Sequence, residues 1–302
     1  MSTRFGRGEV AAIVTVILGT AVVLMGIGLA RGAAESSSPP PRAVQPGGPV
    51  EPESVVGTWW VEGDPTLDGR MVAFLPSGEL TVYGDQGCEF YGTWQLTESG
   101  LATVGIDSWT TSCKDDAGQA MQIADSVAAI RMVGDAMALT TSDADVVATL
   151  TAAPDSAAWP ESAQRDEDLT EALAEPYVPP KGTFGLPEGM VPPTPEQLTS
   201  GRWVPAASGS NAPGWPDEPY AQFVSSGSWS GSDGCNGQGG SWSLDSQTGE
   251  WLASAGPQTL IGCNNVDVAG ILTSARTVAI EEGQLVFYDA KGQENGRLAP
   301  AE

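Results

Sequence analysis

Apolar positions along the chain fall into three patterns. Over residues 10–30 they are continuous: VAAIVTVILGTAVVLMGIGLA contains no charged side chain, and as a helix it spans roughly 31 Å, the thickness of a bilayer core. That predicts one transmembrane helix. Over residues 54–151 and again over 198–302 the apolar residues come in short alternating runs broken by Gly, Pro, Ser and Asp, the pattern of small antiparallel strands. Residues 71–74 and 80–83 flank Pro-Ser-Gly, 93–96 and 101–106 flank Thr-Glu-Ser-Gly, and 241–244 and 250–254 flank Asp-Ser-Gln-Thr-Gly; each predicts a hairpin. In one place the period lengthens: Ala120, Met121, Ile123, Ala124, Val127, Ala128 and Ile130 recur at three and four residues and predict an amphipathic helix. Residues 266–275 are its expected counterpart, with Gly270 against it. The fold class expected is mainly β (α+β): two small antiparallel β domains, each with one helix, behind one N-terminal transmembrane helix.

The two β segments repeat each other. Gly57-Thr58-Trp59 matches Gly201-Arg202-Trp203, and Phe74-Leu75-Pro76-Ser77-Gly78 matches Phe223-Val224-Ser225-Ser226-Gly227. Gly84-Asp85-Gln86-Gly87-Cys88 matches Gly231-Ser232-Asp233-Gly234-Cys235, and a Gly-x-Trp-x-Leu element follows each, at Gly92 to Leu96 and Gly240 to Leu244. A second Cys follows, then a strand rising from a Gly turn at Gly134 and at Gly283. The organisation expected is a cytoplasmic N-terminus at 1–9, the span at 10–30, a Pro/Ser-rich tether at 31–53, a first domain at 54–151, an acidic Pro-rich linker at 152–197 and a second domain at 198–302. Within the linker, Trp159, Tyr177 and Phe184 suggest contact with a neighbouring domain, and residues 166–174 a short helix.

Charge and cysteine content narrow the functions. The chain has 13 basic and 38 acidic residues, a formal net charge of -25, and no His. That removes Ser-His-Asp and Cys-His catalysis and imidazole metal sites, and it argues against a nucleic-acid partner. Arg4 and Arg7 precede the apolar run and the acidic bulk follows it, which places the β segments on the extracytoplasmic side. The alternative is a cleaved signal peptide, cut near Ala34 and releasing a secreted protein. Cys88 with Cys113 and Cys235 with Cys263, one pair per repeat, are expected as intradomain disulfides; crossed pairing and a redox-active pair are the other readings. No cofactor and no metal is expected.

Gly-x-x-Gly-Cys-Asn before a Gly-x-Trp-x-Leu strand, a Thr-rich approach to a second Cys, a helix and a closing Gly-x-Leu strand resemble the META domain family, the HslJ-like module of bacterial envelope proteins. The match is carried by Gly231, Cys235, Asn236, Gly240 to Leu244, Thr259, Cys263 and Gly283 to Phe287; the first copy departs from it, with Glu89 where Asn236 stands. The resemblance implies two compact β-barrel-like domains with a helix alongside, a loose link to motility, secretion and stress, and no enzymatic chemistry.

The resulting expectation is a non-enzymatic, membrane-anchored protein that binds an envelope protein or another envelope component. A small-ligand carrier using a β interior, and a carboxylate-dependent enzyme acting on envelope polymers, are the alternatives. Trp215, Trp229 and Trp251, with no counterpart in the first repeat, are candidates for an aromatic binding surface beside Asn236; the competing reading puts the tryptophans in the core and Asn236 in a turn.

Overall fold

The computed structural model describes residues 50–63, 66–113, 116–153, 155–164, 169–177, 180, 185–206, 218–259, 261 and 266–301. The expected span at 10–30 lies outside them, and among the described residues no helix is long and apolar enough to cross a membrane.

Eight strands build the first sheet: β1 (Gly57–Glu62), β2 (Met71–Phe74), β3 (Glu79–Tyr83), β4 (Glu89–Leu96), β5 (Ala102–Trp109), β6 (Ala129–Val133), β7 (Ala136–Thr140) and β8 (Val146–Ala152). Eight build the second: β9 (Arg202–Pro205), β10 (Tyr220–Phe223), β11 (Ser228–Ser232), β12 (Gly237–Leu244), β13 (Trp251–Ala253), β14 (Thr277–Glu281), β15 (Gln284–Tyr288) and β16 (Glu294–Pro300). The orders, β5-β4-β3-β2-β1-β8-β7-β6 and β13-β12-β11-β10-β9-β16-β15-β14, are one topology twice. In each, the two end strands meet at a single antiparallel bridge, Leu101 to Ala129 and Glu250 to Thr277, so the sheet curls almost into a barrel. The helices α1 (Ala117–Ser126) and α5 (Val268–Ser274) lie between those end strands in sequence. Short helices α2 (Glu161–Gln164), α3 (Leu169–Ala172) and α4 (Pro195–Leu198) fall in the segment joining the sheets. The final strands β8 and β16 are not among the expected elements; they pair with β1 and β9 and bring the two ends of each sheet's chain together.

The first helix is shorter than its periodicity implied. It ends at Ser126; Val127 is extended, and Ile130 belongs to β6. The N–H of Ala102 bonds the Ala128 carbonyl and that of Ala128 bonds Thr140, so the barrel closure takes the backbone that a longer helix needs. In α5 the side chain of Asp267 accepts from Gly270 N–H and caps the first turn, which offsets the weak propensity of that glycine.

The repeated residues take equivalent places. Trp94 and Trp242 are both buried, and their indole N–H groups donate to the matched carbonyls of Leu75 (2.9 Å) and Val224 (3.2 Å). Phe74 meets Trp94 edge-on at 5.4 Å, and Phe223 meets Trp242 edge-on at 5.9 Å. Trp59 and Trp203 donate back to Val55 and Leu198, 2.8 Å in each case. The glycine of Gly-x-Trp-x-Leu is explained by close approach: a Cβ at Gly92 would sit 1.9 Å from the Gly105 carbonyl oxygen, and one at Gly240 2.1 Å from that of Ser254. No side chain fits there.

One difference is compensated from outside the sheet. By their matched bridges, Ala102 of β5 corresponds to Trp251 of β13. Trp251 stacks on Trp242 at 5.9 Å; in the first module the stacking ring on Trp94 is Tyr177, at 4.7 Å, from the joining segment. The Tyr177 hydroxyl donates to the Leu96 carbonyl, and burial pushes its pKa up to about 12. The same segment packs Ala163 and Leu169 on Met71, Ala73 and Tyr83, and Leu186 and Met190 on Ala279, Val286 and Tyr288. It therefore covers the outer face of both sheets. Phe184 lies outside the described residues, as do Asp166 to Asp168 at the start of the helix expected there. At the other end of the first module, Val50 and Val55 are buried in its core, so the last residues of the tether pack rather than hang free.

Candidate functional site

Cys88 and Cys113 form a disulfide with Cα atoms 4.9 Å apart. Cys235 is disulfide-bonded as well; Cys263 lies outside the described residues. Arg70, distant in sequence, donates to Cys88 Sγ (3.0 Å) and to Asp116 (2.6 Å) while its guanidinium lies over the Phe90 ring. In the second module the buried Asp233 accepts from the backbone N–H groups of Cys235 and Asn236 at 2.8 and 2.6 Å. Asn236 itself is buried. Its amide nitrogen donates to Asp233 and to the Ile261 carbonyl, and its oxygen accepts from the Thr259 hydroxyl and Ile261 N–H. Its polar capacity is spent holding the loop to the irregular segment leading toward the second cysteine, so it offers nothing to a ligand. Glu89, in the matching position, cannot make this knot; its carboxylate accepts from Tyr91 instead.

The aromatic surface is corrected by the structure. Trp251 is fully buried and Trp229 is 2 % exposed; both sit in the core of the second module, donating to the carbonyls of Leu272 and Ser254. The alternation along β11 and the short β13 turns both rings inward, where their apolar area is worth more. Trp215 lies outside the described residues.

The interior of the first module holds an apolar cavity of about 40 Å³, lined by residues such as Phe74, Val82, Ile106 and Leu150. An apolar cavity that holds benzene is about 150 Å³. The space is a packing gap with no room for a carried ligand. Among the described residues no three His, Cys, Asp or Glu side chains come together in a way that holds a metal ion.

Where the modules meet, the contact is polar and specific. The outward face of β12 is buried: Ser241 Oγ donates to the Val104 carbonyl (3.2 Å) and Ser243 Oγ to that of Ala128 (2.6 Å). Val104 lies on β5, an end strand of its sheet, and Ala128 just ahead of β6, the other end strand, so these hydroxyls cap backbone groups where the sheet closes. Ser99 donates to Glu250, and Ser142 to the Ser225 carbonyl at 2.9 Å. The turn between β10 and β11 approaches the end of α1 so closely that a Cβ on Gly227 would be 3.3 Å from the Ser126 carbonyl oxygen, at a φ of +95° that already favours glycine.

Beside this junction lies an open groove of about 560 Å³, walled by α1 on one side and the β10–β11 turn on the other. Gln119, Met121, Gln122 and Asp125 come from α1, Ser226 and Ser228 from the turn. Asp125 is partly buried and makes no hydrogen bond or ion pair with any described residue. Desolvation pushes its carboxyl up to about 6. Apolar periodicity marks the inward face of α1; the groove takes Gln119, Gln122 and Asp125 from the polar face and the partly buried Met121 and Ile123 from the apolar stripe, together with a loop 100 residues away. No sequence pattern links the two.

Comparison with protein-family models, with curated proteins and with solved structures gives no match. The class of protein is therefore defined by the structure alone: a tandem of two eight-stranded, nearly closed β modules with one topology, joined by a segment that packs on both.

Proposed function

We propose that this chain is a membrane-anchored, extracytoplasmic binding protein whose two META-like modules act as one platform for an envelope protein or envelope component, without catalysis. The observation that carries the reading is the groove at the module junction: neither module makes it alone, it is open, and it presents a partly buried carboxylate with no partner among the described residues. Both β interiors are filled by side chains, so binding falls to the surface. The apolar run at 10–30 and the cysteine pairs support placement on the oxidising, extracytoplasmic side of a membrane. The META resemblance supports the envelope context.

The test is site-specific photocrosslinking in the source cells, with the photoreactive residue at Gln122 in the groove or at the exposed Glu175 on the joining segment. Saturable adducts from Gln122 and none from Glu175 are expected. Adducts from neither, or equally from both, would end the groove reading. Protease added to spheroplasts is expected to digest the β modules; protection until lysis would overturn the orientation.

A further inference from the structure

We propose that the groove receives a basic side chain from an extended polypeptide segment of the partner, its ammonium or guanidinium head against the Asp125 carboxylate and its aliphatic stem along Met121 and Ile123. This rests on the groove being the binding surface and goes further by naming what enters it.

The lining is selective in its chemistry. Among the described residues that line it Asp125 is the only titratable group; α1 otherwise contributes amides, a glycine, Ser126 and apolar side chains, and the β10–β11 turn contributes serines. The carboxylate just ahead of α1, Asp116, is already paired with Arg70 at 2.6 Å. Among the described residues no cation lines the groove, and none pairs with the charge on Asp125. A partly buried carboxylate without a partner gains most from a ligand cation, because desolvation weakens its competition from water. An ammonium carries three donors and no acceptor, and a guanidinium five donors. The amide oxygens of Gln119 and Gln122 and the hydroxyls of Ser226 and Ser228 supply acceptors for those that Asp125 leaves over. Ser226 and Ser228 are bonded only loosely to each other, at 3.4 Å. Long basic side chains also bury their stems along apolar surface, which Met121 and Ile123 provide. A glycan fits less well, since among the described residues no aromatic ring lines the groove for a sugar face to stack on. The flanking amides and hydroxyls both donate and accept, as a peptide backbone requires.

The shift on Asp125 adds a pH signature. Its carboxyl, raised by burial to about 6, is almost fully ionised at about pH 7.5 and about one-tenth ionised at about pH 5, so binding of a cation is expected to be about tenfold weaker at the lower pH. On binding, the carboxylate pKa falls, because the ligand charge favours the ionised form.

The experiment uses the oxidised full chain in detergent with carboxyl-labelled aspartate, followed by NMR. The probes are N-acetyl-lysine methylamide, its neutral isostere N-acetyl-norleucine methylamide, and free cadaverine. The lysine probe is expected to saturate the groove, lower the Asp125 titration midpoint and lose about tenfold in affinity at the lower pH, while the norleucine probe leaves Asp125 unmoved. Asp125→Asn is expected to abolish binding. Gln122→Lys, which sets a cation one helical turn from Asp125, is expected to compete with the probe and weaken it several-fold. Equal binding of lysine and norleucine probes, no binding of the lysine probe, or retained binding by Asp125→Asn would overturn the proposal. Cadaverine binding more tightly than the lysine probe would overturn the polypeptide assignment in favour of a free amine. Groove-specific photocrosslinks that survive in Asp125→Asn would leave the binding surface standing and remove only the cation.

Discussion

At the scale of single residues, two kinds of position stand out. The first is Asp125. Its folded pKa lies above its unfolded value near 4, so the folded state binds the extra proton between those two values. Stability therefore decreases as pH rises from about 4 to above 6, and the ionised carboxylate is a cost at neutral pH. Asp125→Asn is expected to raise stability at about pH 7.5 by about 1–2 kcal/mol, discounted for the partial exposure of the group, and the gain should vanish near pH 4. Paired denaturant titrations at the two pH values check the sign. The second kind is the glycine of Gly-x-Trp-x-Leu. Gly92→Ala and Gly240→Ala each force a methyl into a neighbouring carbonyl oxygen, and each is expected to cost about 3 kcal/mol or more. Alanine at Gly134, where nothing lies within 4 Å, is strained only by its φ of +64° and should cost less.

At the scale of elements, the joining segment reads in sequence as a polar, Pro-rich spacer. It is built into both sheets. Its four-residue helices have little stability of their own. What fixes them is the apolar outer face of each sheet, which the alternation of β2 does not reveal: all four residues of β2 are buried. Tyr177 is the most specific contact, since it supplies the ring that Ala102 lacks. Tyr177→Ala is expected to destabilise the first module by about 3–4 kcal/mol and to shift Trp94 fluorescence. Tyr177→Phe keeps the stacking and loses only the hydroxyl bond, so about 1 kcal/mol is expected. A Tyr177→Ala variant as stable as the parent would show that the segment is a passive spacer.

At the scale of the whole molecule, buried serines help tie the two modules into one unit. Removing the Ser241 or Ser243 hydroxyl leaves the Val104 or Ala128 carbonyl buried with one partner fewer, at about 1–3 kcal/mol each. The double variant Ser241→Ala with Ser243→Ala is expected to split one calorimetric transition into two, as the modules uncouple, and to close or distort the groove. A single unchanged transition would mean that the serines do not couple the modules. Reduction of the disulfides is expected to lower stability by about 2–5 kcal/mol per module.

Much of this architecture was legible in one dimension. Alternating runs, turn residues and the order of repeated motifs determined that there are two antiparallel β modules of one kind, each with a helix after its second cysteine, because strand period and turn chemistry are local properties. The first disulfide followed from one cysteine pair per repeat. What the sequence left open was which face of each element is covered. Trp229 and Trp251 read as core or as a binding surface until the sheet curled and placed them inside; α1 read four residues too long because the barrel closure, a contact between ends of the sheet, claims Ala128. The groove is the furthest from the sequence. It exists only because a helix of one module and a turn of the other are brought together by hydroxyls on a third element, and no local rule carries information across that distance.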